Sequence, residues 1–445
     1  MNADLFRVCA LAACLCCVRA VHAEDLLDAY RLALLQDPVL LSARHADDAA
    51  QERLPQARAG LLPTVGLTAN SGGQSGRSSF EQSAFADRTV RSRAWSLQLS
   101  QPLWRPANRI AYQQAEFQEQ LAGEQLRQVR QESILRLAQA YFDALLAQES
   151  LRVAQGQFLA VQTQLDLAGR NHAVGTSTVT DVHEAQACRD LAQAQVEAAK
   201  NDVQTRFAEL ERSIGKLPAA LATLAYGSDL PPPDEDASTW AERARLQHPA
   251  VRIQEAALAV AEAEVSRSEA AHGPTLDLVA SYGRNSASGS MGSPADVSSR
   301  VNAAQVGVNL NIPLFAGGAV SARVREAVAL RFKAEDDVET ARRQAASQAR
   351  QAWSGIRQGR LQLSALASAV VSSQSAVEDN KIGYRIGTRI NIDVLNAEQQ
   401  LYAAQRDLFK ARVETLMHAL RLKASGGLLD ENDLAAVNRL LAVPV

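Results

Sequence analysis

The sequence predicts a mainly α-helical chain that carries a smaller amount of membrane β-structure and repeats one unit twice. Residues 26–217 recur at 240–428, which means that a single unit was built two times. Each copy contains a long stretch without proline, which predicts long helices, and a pair of segments in which apolar and polar residues alternate. Three prolines fix the shift at 211 positions: Pro38 recurs as Pro249, Pro63 as Pro274 and Pro102 as Pro313.

Composition favours long packed helices and argues against several functions. Aromatic residues make up only 5% of the 445 residues, which suits helical bundles better than a thick globular core. The formal net charge of −3 gives no indication of a nucleic-acid partner. The sequence has no metal-ligand spacing and no phosphate-binding loop, so we expect neither enzymatic activity nor a cofactor.

Residues 1–23 have the pattern of a secretory signal peptide. A basic residue precedes an apolar stretch, and Val21-His22-Ala23 is a suitable signal-peptidase site. A lipoprotein signal ending at Cys14 is the alternative, but the apolar stretch before that cysteine is too short for a signal core. Cleavage after Ala23 leaves Cys188 as the single thiol, so we expect no internal disulfide.

Each repeat begins with helix and continues into a β-hairpin. Residues 25–58 have helical periodicity, which an Asp-Pro pair interrupts. Alternation then predicts a hairpin over 64–102 with a polar loop at 71–91. The second repeat predicts a hairpin over 275–313 with a loop at 283–300. Alternating segments separated by polar loops are typical of outer-membrane β-barrels, although one such hairpin alone also fits a soluble core.

A pair of long helices follows each hairpin. Residues 107–213 predict two helices around a turn at Gly175-Thr176, and the first of them would be nearly 100 Å long at about 1.5 Å per residue. Small and apolar residues in it recur in steps of four and three, which is a coiled-coil seam. Residues 319–424 repeat the arrangement around Gly387-Thr388. A generic helical bundle also explains the helices, but it leaves the hairpins unexplained.

The repeat sets the domain organisation. Five segments follow from it: the signal peptide at 1–23, the first structural repeat at 24–230, an acidic and proline-containing linker at 231–239, the second repeat at 240–428 and a C-terminal tail at 429–445. Each repeat supplies one hairpin and one helical pair, so we expect a complete chain to supply four strands.

Four strands cannot close around a lumen, and their edge amides cannot stay unpaired in lipid. Chains must therefore pool their strands. Eight strands from two chains would enclose only side chains, whereas twelve strands from three chains would enclose water. The polar strand faces, which include Ser96, Gln98, Asn309 and Asn311, favour the water-filled barrel. We therefore expect a homotrimer in which a twelve-stranded transmembrane β-barrel is continued by a coiled-coil-like α-helical barrel.

Many short motifs in one order carry a resemblance to a known family. They are Leu62-Pro63-Thr64, 96–102, Ala140-Tyr141-Phe142, Val306-Gly307-Val308, 312–318 and 383–389. With these motifs the mature chain resembles the TolC family of outer-membrane channels over nearly its whole length. The resemblance implies a homotrimer embedded in outer-membrane lipid, with a long periplasmic extension. It also implies two partners, a periplasmic adaptor protein and an inner-membrane pump that is either an ABC transporter or proton-driven.

The resemblance further implies a gate at the periplasmic end of the helices. Tyr384 and Arg389 match family positions that hold the tunnel shut, here by a hydrogen bond and a salt bridge to Thr180 and Asp181. Partly exposed links of about 0.5–1.5 kcal/mol each can be exchanged for adaptor contacts at little cost. Asp181 also has capping-box spacing to Thr178, so we expect it to cap its helix as well. Without the resemblance, Arg389 would be interpreted as a solvated turn residue.

The resemblance implies a lumen constriction and two docking turns. Asp393 matches a constriction residue, and three-fold symmetry would make it a ring of three carboxylates that attracts cations. The best-known family pattern has a second aspartate where this chain has Asn396, so we expect weaker cation selectivity and weaker block by multivalent cations. Two tripeptides match the family's adaptor-docking turns, Val174-Gly175-Thr176 and Ile386-Gly387-Thr388. A tight turn requires their glycines in any case.

The predicted function is the outer-membrane exit duct of a tripartite export system. Type I protein secretion with an ABC transporter is favoured, because a mature N-terminus without a lipid-anchored cysteine resembles the secretion branch of the family. The alternative is an efflux channel for drugs and other small molecules. A trimeric coiled-coil structural protein or adhesin is a more distant alternative, since such proteins place their membrane strands in one terminal segment.

Overall fold

The computed structural model describes residues 24–80, 84–224, 235–293, 295 and 297–442. The predicted signal peptide and the first part of the predicted linker lie outside the described residues. In the described part of the chain, none of the helices combines the length and the apolar character needed to cross a bilayer.

Both halves of the chain have the same order of elements, except that three helices precede the first hairpin and two precede the second. The first half contains α1 (Leu26–Gln36), α2 (Pro38–Gln51), α3 (Arg53–Ala59), β1 (Thr64–Ser78), β2 (Ala86–Trp104), α4 (Pro106–Ala173) and α5 (Val179–Ile214). The second half follows the short strand β3 (Thr223–Leu224) and contains α6 (Ala237–Gln247), α7 (Pro249–Ala270), β4 (Thr275–Ser288), β5 (Ser299–Asn311), α8 (Ala319–Arg385) and α9 (Asn391–Ser425). The last described elements are α10 (Glu431–Asn438) and β6 (Leu441–Ala442). The predicted fold class, long helices with four membrane strands per chain, is confirmed.

The first helical segment is interrupted twice. The predicted break is present at Asp37, whose Oδ1 accepts from the Val39 amide at 3.0 Å. The second break, at Glu52, was not predicted from the sequence. It has a clear cause, because Pro55 lies in the first turn of α3 and its ring would clash with the carbonyl of Gln51 in a continuous helix.

The two hairpins form one antiparallel sheet in the order β1-β2-β4-β5. The predicted loops at 71–91 and 283–300 were too long, because the strands continue well into both. Apolar alternation ends before these segments, but backbone pairing does not depend on apolar side chains. Ser71 still pairs with Arg93, and Ser286 pairs with Arg300.

The strand register separates an apolar face from a polar one. Gln98 pairs with Ser281 on the polar face, where Asn309 also lies through its pairing with Asp277. The apolar side chains on the other face are exposed in the isolated protomer, as expected of a surface that faces lipid. β1 and β5 are the edges of this sheet, so both need strands from another chain in a membrane.

The described chain divides into two compact units, which interleave the repeats. One unit contains residues 45–124 and 252–340, and therefore the four-stranded sheet. The other unit contains the segments up to 44, 125–251 and from 341 onward. Its largest core surrounds Tyr141 and Phe142, both fully buried.

Candidate functional site

Two turns of the same backbone geometry connect the long helices. We call residues 171–178 the first turn and residues 383–390 the second turn. Gly175 and Gly387 adopt φ angles of 79° and 78°, a left-handed conformation that favours glycine. Their amides donate to carbonyls three positions earlier, and the amides of the threonines that follow donate to carbonyls five positions earlier, at 2.8 and 2.9 Å. Each turn is therefore a Schellman motif.

The threonine of each docking tripeptide stabilises its own turn. Thr176 Oγ1 donates to the Asn171 carbonyl at 3.0 Å, and Thr388 Oγ1 donates to the Gly383 carbonyl at 3.2 Å. Glycine and threonine thus have a structural role, which leaves the first residue of each tripeptide available for contacts. These residues, Val174 and Ile386, are 74% and 70% exposed. Adaptor docking remains a prediction, and the exposed aliphatic side chains are the atoms that could serve it.

Asp181 caps α5, as predicted. The Asp181 amide donates to Thr178 Oγ1 at 3.2 Å, and Asp181 Oδ2 accepts from the Thr178 amide at 2.9 Å. This reciprocal pair is a capping box. Thr180 is the second residue of α5, and its side chain is exposed.

Asp393 takes the equivalent position in the second repeat. Its Oδ2 accepts from the Ile390 amide at 3.3 Å and lies 3.9 Å from Arg389 Nη1. The aliphatic stem of Arg389 lies over Gly383, where an added Cβ would be 2.6 Å from Arg389 Cγ. Gly383 is thus the residue that makes room for this arginine. Asn396 lies one turn further along α9, exposed and three positions from Asp393, which puts both on one side of the helix.

Among the described residues, one side-chain hydrogen bond links the two turns: Asn171 Nδ2 donates to Tyr384 Oη at 3.2 Å. Within the described part of one protomer, neither Tyr384 nor Arg389 makes a hydrogen bond or ion pair to its two predicted partners at the start of α5. The predicted contacts to Thr180 and Asp181 therefore stay a prediction. Asn171 was not among the site residues predicted from the sequence. A comparison of the repeats could have identified it, because the two copies differ here: the residue 212 positions after Asn171 is Gly383.

Two buried polar residues lie on α9 behind the second turn. Glu398 is 2% exposed, and its carboxylate pairs with Lys381 Nζ at 2.7 Å. Asn391 is 1% exposed, and its side-chain amide makes no hydrogen bond among the described residues. A buried unsatisfied amide is costly, so this end of the helix pair is less stable than its apolar contacts suggest. The counterpart of Asn391 in the first repeat is Val179, which carries no such cost.

The arrangement suits a reversible closure. Within one protomer the two turns are joined by the partly exposed Asn171–Tyr384 hydrogen bond, worth about 0.5–1.5 kcal/mol, and the helix behind the second turn carries the unsatisfied amide of Asn391. Weak links of this kind can be exchanged for others, as a two-state element requires.

Comparison with known proteins places the chain among outer-membrane channels. The family described as outer membrane efflux protein matches residues 29–216 and 240–428. The chain is 32% identical to outer membrane protein TolC of Vibrio cholerae, with 95% of each chain covered. It is 31% identical to the proteases secretion protein PrtF of Dickeya chrysanthemi, covering 93% of this chain and 90% of that one. Its fold matches the CmeC outer membrane channel of Campylobacter jejuni with a TM-score of 0.77 at 18% identity, covering 94% of this chain and 89% of that one.

Proposed function

The chain belongs to the outer membrane efflux protein family and is an outer-membrane exit duct, and we propose that it serves type I protein secretion. The observation that supports this cargo is the likeness to a relative named for protease secretion, which extends over 93% of the chain. Small-molecule efflux is the second candidate, supported by the description of the family itself.

The duct is proposed to be a homotrimer. Each protomer presents two open sheet edges, β1 and β5, and joining them around a three-fold axis pairs every strand. Twelve strands leave a water-filled lumen, whereas eight would be filled by side chains. The polar strand face then lines the lumen, and the exposed apolar face contacts lipid.

The periplasmic end is proposed to open through the two turns. Asn171 and Tyr384 form the link within a protomer, and Arg389 provides a cation for Thr180 and Asp181 in the closed trimer. Val174 and Ile386 are the proposed contacts for a periplasmic adaptor, which in turn connects the duct to an inner-membrane ABC transporter. Binding of the adaptor at these turns would replace the weak polar links and open the tunnel.

Deletion of the gene, followed by analysis of the secreted proteome and of drug susceptibility, tests the proposed cargo. We expect specific secreted proteins to disappear from the medium while drug susceptibility stays unchanged. The opposite result would favour efflux and contradict the secretion proposal.

Substitution at the turns tests the proposed docking. The deletion strain is complemented with the double variant Val174→Asp and Ile386→Asp, which should assemble normally but fail to restore secretion. Val179→Asp is the matched control. Val179 is also exposed, but it is the first residue of α5, where a carboxylate interacts favourably with the helix dipole. Equal secretion by the double variant and the control would contradict the docking assignment.

The constriction assignment has its own test. Three Asp393 carboxylates without a second ring at Asn396 should give a channel that trivalent cations block weakly, and Asp393→Ala should abolish that block. Tight block that persists in Asp393→Ala, measured as bilayer conductance, would place the constriction elsewhere.

A further inference from the structure

The apolar face of the sheet becomes arginine-rich toward one end of the strands. On β2 this face runs from Leu99 and Leu97 through Trp95 to Arg93 and Arg91. Alternate residues of a strand share a face, so these five side chains point the same way. The change from apolar to basic takes place immediately beyond the tryptophan.

The neighbouring strands change at the same level. Arg284 of β4 pairs with Trp95, directly beyond Tyr282, which pairs with Leu97. Arg300 of β5 pairs with Ser286, which itself pairs with Arg93. The register therefore brings four exposed arginines into three consecutive cross-strand rows. We call this set the arginine band: Arg91, Arg93, Arg284 and Arg300.

Aromatic side chains bound the apolar part of this face at both ends. Near the band, the rings of Trp95 and Tyr282 meet edge-to-face with centroids 5.7 Å apart. At the other end, Trp104 pairs with Leu276. Trp95 and Trp104 stand nine positions apart on β2, which is about 30 Å along the strand. A tilt of roughly 40° reduces this to about 23 Å, close to the height of the apolar belt of outer-membrane barrels.

The arginine band consequently lies at the level of the lipid headgroups. α4 begins at Pro106, so the helices continue from the Trp104 end of the strands. The helices of an outer-membrane exit duct extend into the periplasm, and the opposite end of the sheet faces the cell exterior. The band therefore faces the headgroups of the outer leaflet.

Among the described residues, the positive charge of the band is not neutralised by an ion pair. Arg284 Nε donates to Asn302 Oδ1 at 2.7 Å, and this partner is uncharged. No carboxylate among the described residues forms an ion pair with any of the four guanidinium groups. Arg77 provides a contrast on the same face, because it pairs with Asp87 at 2.8 Å.

We propose that the arginine band binds the phosphate groups of a phosphorylated glycolipid in the outer leaflet. Guanidinium groups bind phosphate through two parallel hydrogen bonds, and the long arginine stem can extend from the edge of the apolar belt to the headgroup. Two serines that share these rows, Ser71 and Ser288, offer hydroxyls to the sugar. The acyl chains of the same lipid would cover the apolar face below.

Lipid titration of the purified full-length protein in neutral detergent tests this proposal. The probe is a fluorescent diphosphorylated glucosamine glycolipid. Arg93→Gln should weaken its binding about fivefold, since a basic side chain gains about 1 kcal/mol at an anionic membrane surface. The quadruple glutamine variant of the arginine band should weaken it by roughly a hundredfold or more. The same glycolipid without its phosphates should bind the unmodified protein equally weakly.

The charge-neutral double variant Arg77→Gln and Asp87→Asn is the matched control, and it should bind the glycolipid like the unmodified protein. Native electrophoresis checks that each variant assembles. If the quadruple variant fails to assemble, the glycolipid affinities of the single variants Arg93→Gln and Arg284→Gln test the proposal. Unchanged affinity in these single variants would overturn the proposal. Equal binding of phosphatidylglycerol, or displacement by millimolar inorganic phosphate, would also overturn it, because a phosphorylated glycolipid would then not be the specific ligand.

Discussion

Removal of the Tyr384 hydroxyl should open the duct. Tyr384→Phe deletes the hydrogen bond that Asn171 Nδ2 donates at 3.2 Å, the side-chain link between the two turns, and leaves the ring in place. A partly exposed hydrogen bond of this kind contributes about 0.5–1.5 kcal/mol. Three protomers that open together would lose roughly 1.5–4.5 kcal/mol, which shifts the equilibrium toward the open state by about tenfold to a thousandfold.

Single-channel conductance in planar bilayers measures this shift. The unmodified protein should remain mostly in a low-conductance state, and Tyr384→Phe should show longer and more frequent high-conductance openings. Tyr402→Phe is the matched control, because it removes a tyrosine hydroxyl from α9, where Tyr402 contacts Gly156 and lies away from both turns. We expect this control to behave like the unmodified protein.

A double-mutant cycle decides whether the link itself is responsible. Asn171→Ala should open the channel to a similar extent, and the double variant Asn171→Ala with Tyr384→Phe should open it no further than either single change. Additive effects of the two substitutions would refute the reasoning, as would an unchanged conductance of Tyr384→Phe.

Three further predictions concern stability and the packing behind the turns. Gly383→Ala should increase the single-channel conductance, because its Cβ would displace the stem of Arg389; an unchanged conductance would contradict this. Asn391→Val should raise the free energy of unfolding by about 1–3 kcal/mol, measured by chemical denaturation, because it removes an unsatisfied buried amide; a loss of stability would indicate a partner for that amide in the trimer. Burial raises the pKa of Asp37, but hydrogen bonds from Val39, Ser133 and Arg136 outweigh it and hold that pKa below its usual value. The ionised Asp37 therefore contributes fully to the free energy of unfolding above its unfolded pKa of about 3.9, and this contribution is lost as the pH falls through its folded pKa. In Asp37→Asn the free energy of unfolding, measured by chemical denaturation, should decrease less at acid pH than in the unmodified protein. An equal decrease in both proteins would exclude this role of Asp37.

Local chemistry explains why much of this fold was predictable. The helix break at Asp37, the capping box of Thr178 and Asp181, and the left-handed glycines of both turns each depend on residues a few positions apart. The break at Glu52 follows from Pro55 and could have been found by the same reasoning. The predicted strands were correct where apolar residues alternate and too short beyond, because there the pairing rests on backbone hydrogen bonds alone.

The sequence by itself determined the repeated unit, its helices and turns, and the family to which the chain belongs. Only the tertiary structure decided which side chains meet. Asn171 and Tyr384 are 213 positions apart, and the rows of the arginine band join residues of separate hairpins. Such contacts depend on helix packing and strand register, which no short stretch of sequence contains. The proposed link of the gate and the proposed lipid-binding surface therefore became visible only once distant parts of the chain had been brought together.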